Sequence, residues 1–157
     1  MAMPNMSETV LNLGAGNSPR EGAINHDIRK HRSEIDIAWD LNDLPWPWDD
    51  ESFDLIIAKA VLEHLRINLI ESVNECWRIL KPDGRMYLKL PYWKHDNTYL
   101  DPTHYWRFAL ETPYVFDPAT DYGRKYAFYT DRKWKIIKGP YLNNAKSSIL
   151  VTMEVRK

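Results

Sequence analysis

The stretch Thr9-Val-Leu-Asn-Leu-Gly-Ala-Gly-Asn-Ser-Pro19 is a short apolar run that breaks into a glycine loop, and the next apolar run, residues 23–28, carries Asp27 near its end. A strand that stops at Gly14 and Gly16 leaves bare backbone N–H groups at its carboxyl edge, and a carboxylate on the following strand can reach a ribose diol from there. The pattern is nucleotide-shaped. Taken alone, a Gly-x-Gly also serves any tight turn that follows a strand and binds nothing, so the remainder of the chain decides.

Working outward, residues 9–13, 23–28, 34–39 and 53–58 form four strand-sized apolar runs, each bounded by turn residues. Residues 68–80 predict a helix, with Leu69, Val73, Cys76, Trp77 and Leu80 on one stripe and Glu71, Ser72, Asn74, Glu75 and Arg78 on the other. Lys81-Pro-Asp-Gly84 stops that helix and a strand over 85–91 follows, so residues 53–91 make a strand, helix, strand unit whose strands lie parallel. Two last runs, 133–138 and 147–155, are separated by Gly139-Pro140 and Asn143-Asn144 and read as a terminal antiparallel pair. The expectation is an α/β chain with a Rossmann-like, mostly parallel sheet. It forms one domain over residues 1–157, in which residues 92–131 are an aromatic-rich insert with no sustained helical period. Placed after the fifth strand, that insert lies at the edge where open α/β sheets bind ligands, and it is assigned to the substrate side.

A chain of 157 residues, 44% hydrophobic and 27% charged, is sized for one domain with a real core. Its net charge of −1 supplies no global field toward nucleic acid or an anionic membrane. The single cysteine, Cys76, falls on the apolar helix stripe and reads as a packed thiol in a reducing compartment. The chain opens without a basic, apolar leader, and no run approaches the roughly 18 apolar residues of a membrane span, which predicts a soluble, cytoplasmic protein. The outliers are 7 Trp and 9 Tyr, which either fill a core short of helices or line an apolar pocket.

Together, Val10-Leu-Asn-Leu-Gly-Ala-Gly16, Asn25-His-Asp27, residues 44–57 from Leu-Pro-Trp-Pro-Trp to Leu-Ile-Ile, Val61-Leu-Glu-His-Leu65 and Glu75-Cys-Trp-Arg-Ile-Leu-Lys-Pro-Asp-Gly84 resemble the class I S-adenosylmethionine-dependent methyltransferases, of the small methyltransferase type 11 kind. The likeness is strongest over the middle block, covers about residues 9–91, and loosens afterward, where Asp101-Pro-Thr-His104 is similar to sugar- or cell-surface-related relatives. It implies S-adenosylmethionine as methyl donor and S-adenosylhomocysteine as product. Gly14 and Gly16, with Asn17 nearby, would lie against the methionine part. Asp27 would accept from both ribose hydroxyls, Asp40 and the backbone of Leu41 would hold the adenine, and Ala58, Lys59 and Ala60 would line the other side. Trp39 or Trp46 could cover the adenine, although packing in the core is the better reading of both.

The chain departs from the family at three points. Asn12 stands where an acid is common, Ser18 replaces a third glycine, and residues 29–33 leave no room for a crossover helix of the usual ten or more residues. One face of the sheet is therefore short of helices, and either the insert or a second copy of the chain must cover it. A homodimer is the expectation.

Methyl transfer from a sulfonium needs positioning more than machinery, and a base only where an acceptor must lose a proton. His104, oriented by Asp101, and His95 are the candidates. His95, Asp96, Asp101 and His104 match no familiar ligand spacing, so no metal is assigned. Without an Asn- or Asp-Pro-Pro-aromatic tetrapeptide after the fourth strand, and without a Pro-Cys pair, nucleic-acid bases are disfavoured as acceptors. The reading is methyl transfer to an O or N atom of a small molecule or sugar. A nicotinamide oxidoreductase would need a third glycine and an acid about 20 residues on. The more serious rival is a non-catalytic subunit that keeps the fold and acts as partner or activator.

Overall fold

The computed structural model describes residues 7–157; the leaderless start read from the sequence falls partly on residues 1–6, outside the described residues. Seven strands form one sheet: β1 (Val10–Leu13), β2 (Ala23–Asp27), β3 (Ile37–Ala38), β4 (Phe53–Lys59), β5 (Leu80–Pro91), β6 (Lys133–Leu142) and β7 (Ser148–Arg156). Their order is β3-β2-β1-β4-β5-β7-β6. The first five are mutually parallel, and β7 runs antiparallel to both neighbours, as the terminal pair predicts. Because β1 sits centrally with the chain departing in opposite directions from it, the carboxyl ends of β1, β2 and β4 open a crevice.

Helix α1 (Leu69–Ile79) begins where its sequence says it should. Asn68 accepts from the Glu71 amide at 2.9 Å while the Glu71 carboxylate accepts from the Asn68 amide at 2.9 Å, a reciprocal cap. Val73, Cys76 and Ile79 are fully buried, and burial raises the Cys76 thiol's pKa, which suits a packing role. Three strand boundaries differ from expectation, the first being β6, which runs on through Gly139-Pro140 to Leu142 with register shifts either side of Lys138. β3 pairs only at Ile37 and Ala38, because the Asp36 side chain takes the Asn25 amide that a ladder carbonyl would otherwise accept. β5 starts at Leu80, opposite Phe53, and the Lys81–Gly84 stretch expected to separate helix from strand loops out before pairing resumes at Leu55 and Arg85.

No helix joins β1 to β2 or β2 to β3 among the described residues, in keeping with the short connections. The chain supplies apolar bulk of its own instead. Trp48 meets His26 of β2 at 5.5 Å, Phe53 of β4 at 6.0 Å and Trp46 at 6.3 Å between ring centroids, all edge to face, and both tryptophans are buried. The loop that carries them is tied to α1 by Arg78, which donates to the Trp46 and Trp48 carbonyls, to Glu75 and to Asp50, while Glu75 accepts the Trp46 amide at 2.8 Å.

The insert contains short helical turns, among them α2 (Asn97–Leu100) and α3 (Asp121–Lys125), and one isolated bridge from Tyr92 to Phe108. It is nonetheless fixed in place. Phe108 and Phe116 join the core, the Ile136 amide of β6 donates to Asp117 at 2.9 Å, and the Tyr105 amide and Trp106 indole donate to the carbonyls of Glu63 and Leu65 at 2.8 and 2.7 Å. Residues 63–65 come shortly after the end of β4 at Lys59, so these bonds hold the Asp101–His104 segment over the carboxyl edge.

Candidate active site

At that edge β1 turns away through Gly14 and Gly16, both in the left-handed region with φ of +60° and +53°. Glycine is required at the first for a second reason: a Cβ there would lie 2.5 Å from Val61 Cγ2. The loop is then held from below. The Gly14 amide donates to His26 Nδ1 at 3.2 Å and the Gly16 amide to Asp27 Oδ2 at 2.7 Å, while Asn12 Nδ2 donates to the Ser18 carbonyl and to Asn25. His26 must be neutral to accept in this way, and its Nε2–H is left to donate to the Trp39 carbonyl at 3.0 Å. Burial keeps its pKa below the ordinary histidine value. His26 thus latches the glycine loop to the end of β3, a role that its place inside an apolar strand does not announce.

A cavity of about 450 Å³ opens beside this loop, walled by Gly14, Asp27, Trp39, Leu41, Val61 and His64 among others. Asp27 Oδ1 accepts from the Ile28 amide at 2.7 Å and Oδ2 from Gly16, so the carboxylate is held rigidly with lone pairs to spare on each oxygen. Of the two tryptophans considered for the adenine, Trp39 is on the wall, with its indole donating to the Asp43 carbonyl at 3.0 Å, and Trp46 is in the core with its indole on the Leu41 carbonyl. Asp40 also lies on the wall, and its Oδ1 accepts both nitrogens of Asn42. The donor set fits a nucleoside: a fixed carboxylate for a diol, apolar surface for a flat base, and room enough for both.

The other expected contacts are distributed around this cavity. Asn17 is exposed, with its Oδ1 accepting from Arg32 at 3.1 Å. Ala58 is fully buried, and it is Ala60, two residues on, that reaches the cavities, in the left-handed region at φ +54°. Lys59 faces a second cavity of about 400 Å³ that shares Gly14 and Ala60 with the first and carries Lys89 as well. A third, of about 260 Å³, shares Ala60 and His64 with the first and is lined by Glu63, Asp101 and His104. Three cavities meet at one strained residue.

In that third cavity His104 donates or accepts through Nδ1 at the Thr98 carbonyl, 3.1 Å away, and a carbonyl only accepts, so Nδ1 carries the proton and Nε2 the lone pair. The Thr98 carbonyl, not Asp101, sets the ring: Asp101 Oδ2 stands 3.8 Å from Nε2, and Asp101 Oδ1 is taken by the amide and hydroxyl of Thr103. His95 stands apart, its Nδ1 accepting the Asn97 amide at the start of α2. Beside them stands Glu63, which with His64 falls just after the fourth strand, where the sequence leaves a packing role and a chemical one equally open. Its side chain is 1% exposed, its Oε1 lies 3.9 Å from Nε2 of both His64 and His104, and its Oε2 has no hydrogen-bond partner. Burial pushes this carboxyl up to about 7.

Residues 7–88 match the family described as "Methyltransferase domain". No curated protein matches the chain in sequence. Among solved structures, the chain is similar to the YcgJ protein of Bacillus subtilis (17% identity, 96% of this chain and 92% of that one, TM-score 0.62). It is also similar to an S-adenosylmethionine-dependent methyltransferase of Archaeoglobus fulgidus (16%, 94% and 86%, 0.62). A third likeness is to the methyltransferase CalH, solved with S-adenosylhomocysteine (14%, 95% and 51%, 0.58). At these identities the structural likenesses establish the fold.

Proposed function

The chain belongs to the S-adenosylmethionine-dependent methyltransferases, and on that premise we propose that it methylates an oxygen or nitrogen atom of a small molecule or sugar, as one domain over residues 1–157. The observation that carries the acceptor class is the third cavity. At about 260 Å³ it has room for a small acceptor, it adjoins the nucleoside cavity at Ala60, and its polar groups converge on one end. A net charge of −1 offers nothing to a polyanion.

S-Adenosylmethionine supplies a methyl group on a sulfonium and leaves as S-adenosylhomocysteine. The residues of the chain do the rest by position. Asp27 grips the ribose diol, Trp39, Asp40 and Leu41 hold the base, and Gly14 and Gly16 let the amino-acid part pass close to the backbone. Lys59 and Lys89 give the second cavity the charge that a carboxylate needs. His104, with Nε2 unprotonated and its side chain only 10% exposed, takes the acceptor's proton as the methyl arrives. Asp101 adds its charge at 3.8 Å, and His95, off the cluster, is the weaker base. The insert contributes Asn97, Asp101 and His104 to the lining of this end.

Calorimetry with S-adenosylhomocysteine tests the reading. Asp27→Ala should weaken binding by about 1.5–3 kcal/mol, roughly 10- to 150-fold, through loss of charge-assisted bonds to the diol. Unchanged affinity in a folded variant would place the nucleoside elsewhere. Tight binding without turnover on any acceptor would instead favour a partner subunit. A cytoplasmic setting is proposed from the lone buried Cys76; no helix of the described residues is long and apolar enough to cross a membrane. The homodimer is proposed for the apolar side chains that stay exposed, Ile28, Leu100 and Phe128, and a monomer mass by light scattering would remove it.

A further inference from the structure

Three acceptor atoms face one another. Glu63 Oε1 lies 3.9 Å from Nε2 of His64 and 3.9 Å from Nε2 of His104, and all three ligand atoms fall within 4.8 Å of one another. Both rings turn a lone pair inward. His104 donates through Nδ1 to the Thr98 carbonyl. For His64, the partner of Nδ1 is the Thr103 hydroxyl at 2.8 Å, whose own proton goes to Asp101 Oδ1 at 2.6 Å, so Thr103 accepts and His64 Nδ1 donates. Two imidazole lone pairs therefore point at a carboxylate oxygen, an arrangement that repels unless a proton or a metal cation is shared among them.

The second observation is Glu63 itself. Its other oxygen, Oε2, is buried and unpartnered, on a side chain 1% exposed. A buried carboxylate without a donor is costly, and it is retained here on the wall of a cavity. The outer groups match what a metal-bound histidine needs, since each ring's second nitrogen is fixed by a carbonyl or by a hydroxyl that is itself bonded to a carboxylate.

We infer that Glu63, His64 and His104 form a binding site for one divalent transition-metal ion of the zinc, iron(II) or cobalt(II) type. Two imidazoles and a carboxylate suit such ions, and oxygen-seeking magnesium or calcium poorly. Small rotations bring the three atoms to the distances of about 2.0–2.2 Å that zinc takes from nitrogen and oxygen. Three protein ligands leave a position open toward the acceptor cavity. On the methyl-transfer reading, an acceptor hydroxyl placed there would lose its proton to solvent more readily, and the ion would do the work otherwise given to His104. The ligands are far apart in the chain, at 63–64 and 104, and meet where the Tyr105 amide bonds to the Glu63 carbonyl and the Trp106 indole to the Leu65 carbonyl.

The test is a titration of the full chain, stripped with a chelator, with cobalt(II) followed by visible absorption, and with zinc by competition against a chromogenic chelator. One ion per chain is expected, at micromolar or tighter affinity. His104→Ala should weaken it by more than about 100-fold. Thr103→Val, which removes only the outer hydroxyl, should weaken it by about 10- to 100-fold, and His95→Ala should leave it unchanged. If His104→Ala fails to fold, Thr103→Val and the wild-type spectrum still decide. Millimolar or absent binding by the wild-type chain, or cobalt bands indifferent to His104 and Thr103, would overturn the inference. Calorimetry with S-adenosylhomocysteine on the same stripped chain separates the two proposals: intact nucleoside binding without metal binding removes the ion alone.

Discussion

Glu63→Gln is expected to stabilise the metal-free protein by about 3 kcal/mol at pH 8, and by less than about 1 kcal/mol at pH 5. The carboxyl stands near 7 in the fold against 4.5 as its ordinary value. Its neutral form is the one the fold prefers, so the wild-type side chain is at no disadvantage below about pH 4.5. Stability drains as the pH rises through the window from 4.5 to about 7, where the unfolded chain ionises first and the folded one is held back. Gln has nearly the same shape and no charge to bury, and it escapes that loss. Thermal unfolding of wild type and variant from pH 5 to 8, in chelator, would show curves that separate upward. Parallel curves would mean that Glu63 ionises in the fold without penalty.

Arg78→Ala should destabilise the fold by about 3–5 kcal/mol, the range for breaking one partner out of a buried ion pair. The guanidinium is 17% exposed and lies 2.8 Å from a Glu75 side chain that is 10% exposed. Removing it strands that carboxylate with only the Trp46 amide, and frees the Trp46 and Trp48 carbonyls from α1. Since Trp48 packs on His26, and His26 holds the Gly14 amide, the loss should reach the nucleoside cavity. Adding Glu75→Gln to Arg78→Ala should recover part of the loss by removing the stranded charge. Denaturant unfolding measures both. A loss under about 1 kcal/mol would show that the tryptophan loop holds without its cross-link.

The parts that could be read from the chain are those written in local pattern. The glycine loop, the acid ending β2, the capped amphipathic α1 and the terminal antiparallel pair all lie where periodicity and turn residues put them. What escaped depends on distant partners. Nothing in the spacing of Glu63-His64 and His104 shows that a backbone bond from Tyr105 joins them. His26 looks like one more strand residue until its two nitrogens are seen on Gly14 and Trp39. Ala60 lies within the stretch that the family resemblance sets against the cofactor, but its left-handed backbone, which makes it the corner of three cavities, has no signature in an alanine. For Asp101 the pattern shows half of the arrangement: an acid three residues before a histidine brings Oδ2 to 3.8 Å from His104 Nε2, while the Thr103 turn takes Oδ1. Absent helices alone do not require a second copy, since Trp46, Trp48, Phe108 and Phe116 bring apolar bulk into the core from within the chain, and the homodimer proposal rests on the exposed apolar side chains instead.

The account rests on an adenosine seated between Trp39 and Leu41 with its ribose on Asp27. A crystal grown with S-adenosylhomocysteine tests this most directly. The account predicts both ribose hydroxyls within hydrogen-bond distance of the Asp27 carboxylate, and the sulfur near Ala60, facing the cavity of Glu63 and His104. Density for the nucleoside in any other cavity, or a ribose turned away from Asp27, would contradict it.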